Sequence, residues 1–119
     1  MADFAATDVT VTALTPLDQE RLRSGWLSFP TLSFGGGAQT YPAGGIPLPA
    51  IGKLGNFKTA IRGGMVFDQP IDGFVYKYDK TNHKLLIYYG NYDAADGPLI
   101  EITGATHAAT SLTLFLYGH

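Results

Sequence analysis

The sequence predicts an all-β protein: a single domain folded as an antiparallel β-sandwich, jelly-roll-like, with an ordered Gly/Pro-rich loop. Three observations lead there. Short runs with period-two alternation recur along the chain, and Gly, Asn, Asp and Pro punctuate them. Helical periodicity is almost absent. The chain has 119 residues, of which 45% are hydrophobic, a size and composition that suit one small core. Charged residues make up only 15% and glycines number 15, against roughly 25% charged and about 7% Gly in typical domains. A small domain with so few charges is expected to bury part of its surface against other subunits.

Residues 1–7 read as an N-terminal arm without a useful period, and residues 8–119 as the sandwich domain. Asp8 to Leu14 alternates, with Val9, Val11 and Ala13 on one face, and is expected to be a strand ended by Pro16. Pro16 to Gly25 is the one stretch with any helical character, enough for a turn of helix. Trp26 to Phe34 is extended but interrupted by Pro30, which implies an edge strand or two short strands. Gly35 to Leu54 carries too many Gly and Pro residues for regular structure. Its Tyr41, Ile46, Leu48 and Ile51 set it apart from a flexible linker, so it reads as an ordered loop laid on this sandwich or on a neighbour. Phe57–Arg62 and Met65–Phe67 are expected as short strands split by Gly63 and Gly64.

Gly73 to Tyr89 is the clearest element, a β-hairpin. Phe74, Tyr76 and Tyr78 share one face of its first arm, and Leu85, Ile87 and Tyr89 share a face of the second. Asp79 and Asn82 suit the turn, Asn82 because it tolerates a left-handed conformation. Gly90 to Gly97 is a loop and Pro98 to Thr103 a short strand. Thr110 to Tyr117 is the last strand; both of its faces carry bulk, so it is expected to be central or covered on both sides.

The net charge of −2 and scattered basic residues give no footprint for nucleic acid. With no cysteine, disulfides and thiolate chemistry are excluded. No apolar run spans a bilayer, and no basic region followed by an apolar stretch marks a secretory leader, so synthesis in the cytoplasm is expected. His83, His107 and His119 lack metal-site spacing. Asp93 and Asp96 in a Gly-bounded loop resemble calcium ligands only loosely, and turn formation explains them equally. Glu101 has no partner carboxylate in sequence. No Ser lies in a nucleophile elbow, and neither Gly35–Gly37 nor Gly63-Gly64 continues into a phosphate loop. Trp26, Tyr88, Tyr89 and Tyr92 are of the type that forms a sugar platform, though alternating aromatics are more often core or interface. The residues point to neither an enzyme nor a cofactor.

The run TYPAGGIPLP (Thr40 to Pro49), followed by GFVYKYDKTNHKLLIYY, resembles a group of small tailed-phage virion proteins. In that group YP-x-GG-[IV]-P-L precedes a GY-x-Y-x-YD-x-x-N-x-K-[IL] hairpin, and the chain closes with [AT]-x-[TS]-L-x-L-x-x-x-G. The first motif falls here on Tyr41, Pro42, Gly44, Gly45, Ile46, Pro47 and Leu48. The hairpin matches at Gly73, Tyr76, Tyr78, Asp79, Asn82, Lys84 and Leu85, with Phe74 in place of Tyr. The last strand matches at Ala109, Ser111, Leu112, Leu114 and Gly118. The likeness covers roughly residues 35–119, and the segment after the hairpin is shorter than is usual in the group.

The resemblance implies a capsid decoration (cement) protein on the outside of the assembled head, stabilising it by bridging capsomers. It implies the major capsid protein as partner, a homotrimer as the natural state, and no cofactor, nucleic acid or membrane. Phe4, Tyr41, Pro42, Ile46, Pro47 and Leu48 are then the expected subunit or capsid contacts, because the arm and the Gly/Pro loop are extended and irregular. The alternative is a receptor- or glycan-binding module on the virion surface or tail. A small hydrolase would need two of Asp93, Asp96, Glu101 and His107 to converge.

Overall fold

The computed structural model describes residues 3–12, 14–70, 72–89, 100–102 and 104–119. Its strands in chain order are β1 (Thr10–Val11), β2 (Gln19–Leu22), β3 (Gly25–Ser28), β4 (Thr31–Phe34), β5 (Ile46–Pro47), β6 (Ile61–Asp68), β7 (Phe74–Asp79), β8 (Lys84–Tyr89), β9 (Ile100–Glu101) and β10 (Thr110–Gly118). All the pairings between these strands are antiparallel, and they form two sheets. In the first, β10 lies between β6 on one side and β3 and β4 on the other; β2 pairs outside β3 and β1 outside β4. In the second, β8 lies between β7 on one side and β5 and β9 on the other. The chain is an all-β sandwich, as its alternation predicts.

The core is where the inward sets of the two sheets meet. Leu32, Phe34, Val66, Leu112, Leu114 and Leu116 come from the first sheet, and Ile46, Tyr76, Tyr78, Leu85 and Ile87 from the second; all are buried. Side chains two apart on a strand share a face, so the runs Leu112-Leu114-Leu116 and Tyr76-Tyr78 deliver a whole face to the core. The strand Thr110–Gly118 is central, as its two bulky faces imply. The hairpin is also as read, with Phe74 opposite Tyr89 and Asp79 opposite Lys84. Its left-handed residue is His83 rather than Asn82. Asp79 accepts from the backbone of Thr81 and the side chain of Asn82, which occupies Asn82 and passes the strained conformation one residue on.

Four segments differ from their sequence reading. Residues 3–7 do not form a free arm. Phe4 is buried and meets Phe34 edge-to-face at 6.1 Å, and its N–H donates to Thr40 O at 2.9 Å. The strand expected from Asp8 to Leu14 contracts to β1, because the Asp8 carboxylate accepts from Ala5 N–H at 2.8 Å and closes a 3₁₀ turn over Ala6–Asp8. The helical turn expected within Pro16–Gly25 is a 3₁₀ turn over Pro16–Asp18, closed by Asp18 on Thr15; the rest is strand β2, where pairing with β3 overrides weak local preference. Gly63 and Gly64 do not split a strand but lie inside β6. At Gly64 a Cβ would fall 2.9 Å from the Tyr78 ring, so glycine lets the sheets approach there.

The Pro30 interruption gives two short strands, β3 and β4, both flanked by other strands, rather than an edge. Around the break Phe29 N–H donates to Asp18 O and Leu114 N–H to Pro30 O. The Gly/Pro loop is ordered and packs on its own sandwich. It contributes β5, which pairs with the start of β8, and a single helical turn, α1 (Ile51–Leu54).

Candidate interaction surface

The residues expected to reach a partner are turned inward. Phe4 and Tyr41 are 4% and 1% exposed, Ile46 and Leu48 are buried, and Pro42 and Pro47 are half-buried. Within the single chain, then, Phe4, Tyr41, Ile46 and Leu48 pack on their own core, and only Pro42 and Pro47 keep part of their surface open. An apolar side chain in an irregular segment covers whichever apolar surface lies nearest, and here that is this chain's own core. The buried members of the motif that resembles phage virion proteins, Tyr41, Ile46, Leu48, Tyr76, Tyr78, Leu85, Leu112 and Leu114, all belong to one core. The motif therefore encodes packing.

Polar groups inside this core are satisfied. The Tyr41 hydroxyl donates to Glu101 and accepts from Ile87 N–H. Tyr76 donates to Asp72 Oδ2 at 2.6 Å and lies 3.2 Å from His107 Nε2, while His107 Nδ1 lies 2.9 Å from Ala108 O. His83 Nε2 donates to Pro49 O at 2.6 Å and its Nδ1 accepts from the Tyr78 hydroxyl at 2.9 Å. Burial pushes all three phenols up, Tyr78 to about 12; the Glu101 and Asp72 contacts push Tyr41 and Tyr76 further. Glu101 and His107 thus serve separate networks, and the His107 ring is enclosed by Phe34, Phe74 and Tyr76. Asp93, Asp96 and Tyr92 lie outside the described residues. Trp26 belongs to the first sheet, Tyr88 and Tyr89 to the second, so those rings do not share one platform. Among the described residues no group of three or more His, Asp or Glu is placed to hold a metal.

The surface that sequence reading missed is the outer face of the first sheet. Phe67 is 61%, Met65 57% and Leu17 93% exposed. Phe29 stacks edge-to-face on Phe67 at 5.7 Å and on Phe115 at 5.1 Å. Leu17, Phe29, Phe67, Thr31, Thr113 and Asp18 line a shallow groove of about 520 Å³. A β-bulge, read as the register shift between Thr113/Leu114 opposite β6, accompanies the outward turn of Phe67. Exposed aromatics ringed by Thr are the anatomy of an interface core and its rim. Alternation within Met65–Phe67 carried the signal, but period alone cannot say which face of a two-sheet fold stays open.

The chain matches no protein-family model, no curated protein and no solved structure.

Proposed function

We propose that this chain is a virion structural protein, a capsid decoration subunit that binds the outside of the assembled head as a homotrimer and bridges capsomers. The observation that carries the reading is the aromatic outer face around Phe67, Phe29 and Phe115. A decoration protein must wait in solution until a shell exists. A face this apolar would aggregate during that wait unless copies of the chain covered one another. In this reading the face is the surface buried between copies, and the trimer meets the major capsid protein. The resemblance over residues 35–119 supplies the virion context, and the low charge fits a subunit that buries surface. No catalytic step or cofactor belongs to this role: binding the assembled shell better than its free subunits stabilises the shell by linkage.

The test is reconstitution. Purified protein added to undecorated heads should saturate their surface and raise the temperature at which they rupture. Heads that take up no protein, or that rupture at the same temperature when saturated, would refute the cement role. Retention on a glycan surface without head binding would instead favour the receptor-binding alternative.

A further inference from the structure

Away from the aromatic face, the fold brings Lys58 to Arg21 and Arg23, which the sequence already sets close together. Arg21, Arg23 and Lys58 line a cleft of about 680 Å³ together with Trp26, Asn56, Thr59 and His119, and among the described residues no Asp or Glu side chain lines it. In a chain whose net charge is −2, three basic side chains around one cleft outnumber the terminal carboxylate of His119 at its edge and make a local positive field that draws anions. The walls are fixed. Arg21 lies directly opposite Trp26 in the β2–β3 pairing, with its guanidinium carbon 5.4 Å from the ring centroid. Its Nε donates to Leu22 O at 3.2 Å, which leaves the terminal guanidinium nitrogens to present a planar fork suited to an oxyanion. On the other wall, Asn56 N–H donates to Gln19 Oε1 at 2.9 Å, and the N–H groups of Lys58, Thr59 and Ala60 converge on His119 O. That pinning fixes the backbone of Lys58 and Thr59 at the rim, so an arriving anion has only their side chains to order.

We propose that this cleft binds a phosphate group, either free or carried as the ester of a sugar. Three cations balance a dianion better than a single carboxylate, and the Asn56 amide and the Thr59 hydroxyl add neutral partners for its remaining oxygens or for sugar hydroxyls. The site lies outside the aromatic face and does not depend on the virion reading.

Trp26 is the sole tryptophan, so its emission reports on this cleft alone. The full chain is titrated at matched ionic strength with inorganic phosphate, glucose 6-phosphate, glucose and chloride. Saturable change with the phosphates and none with glucose or chloride is the expected result, weakening as salt is raised. Equal affinities for the two phosphates identify a site for the bare group; tighter binding of the ester identifies one that also holds the sugar. The exposed pair Arg23→Gln/Lys58→Gln leaves the Arg21–Trp26 pair in place and should weaken binding roughly ten-fold or more for each charge-assisted hydrogen bond removed. No saturable response to either phosphate, or unchanged affinity in the double variant, would overturn the proposal. Amide shifts in the unaltered protein give a readout that needs no variant: they should concentrate in residues 21–26 and 56–59, and shifts elsewhere would overturn it equally.

Discussion

At the residue scale, the buried phenols tie stability to alkaline pH. Tyr41, Tyr76 and Tyr78 ionise above the ordinary tyrosine value near 10 in the folded state. Above that pH the unfolded chain loses these protons while the native chain keeps them, so stability is intact below about pH 10 and falls as pH rises towards 12. Titration by tyrosine absorbance, followed alongside circular dichroism, should show three phenols that ionise only as the fold is lost. Their ionisation with the β signal unchanged would contradict their burial. His83→Ala removes a donor to Pro49 O and an acceptor for Tyr78, and is expected to cost about 1–3 kcal/mol in denaturant unfolding. A variant as stable as the parent would show that water replaces both bonds. Gly64→Ala forces a methyl group against Tyr78 and Leu116 and is expected to cost about 1–3 kcal/mol by overpacking.

Among the elements, what was legible in the sequence is what local pattern decides. The hairpin Phe74–Tyr89 and the strand Thr110–Gly118 carry long, clean alternation, and both form as read. Gln19–Leu22 has no alternation of its own and becomes a strand through its partner β3. Phe4 has no periodic neighbours either; it is placed by the Thr40 backbone and the Phe34 ring. The candidate surface was hidden for a related reason. Phe29, Phe67 and Phe115 come from three separate segments, and only pairing of β6 with β10 brings Phe67 and Phe115 together. The Gly/Pro loop was legible as ordered and apolar but not in its placement: Tyr41, Ile46 and Leu48 suit either a neighbour or this sandwich, and they pack in its core. Deleting residues 1–7 therefore removes Phe4 from that core, and is expected to cost about 3–5 kcal/mol, as for a buried Phe truncated to Ala. Thermal melting checks this; an unchanged midpoint would restore the free-arm reading.

For the whole molecule, two surfaces divide the work in this account. The outer face of the first sheet is aromatic and bordered by threonines, while the cleft between the β2–β3 hairpin and residues 56–60 is basic. Phe67 is the side chain on which the first depends. Phe67→Glu alters an exposed position, so the folded chain should change by no more than about 1 kcal/mol. Removing a buried aromatic anchor from an interface, by contrast, costs about 2 kcal/mol or more at each copy. The most direct measurement is the solution mass of the parent protein and of Phe67→Glu by light scattering at micromolar concentration. The account predicts three times the chain mass of 12.7 kDa for the parent, and the chain mass alone for the folded variant. A parent that stays monomeric, or a Phe67→Glu variant that remains trimeric, would contradict it.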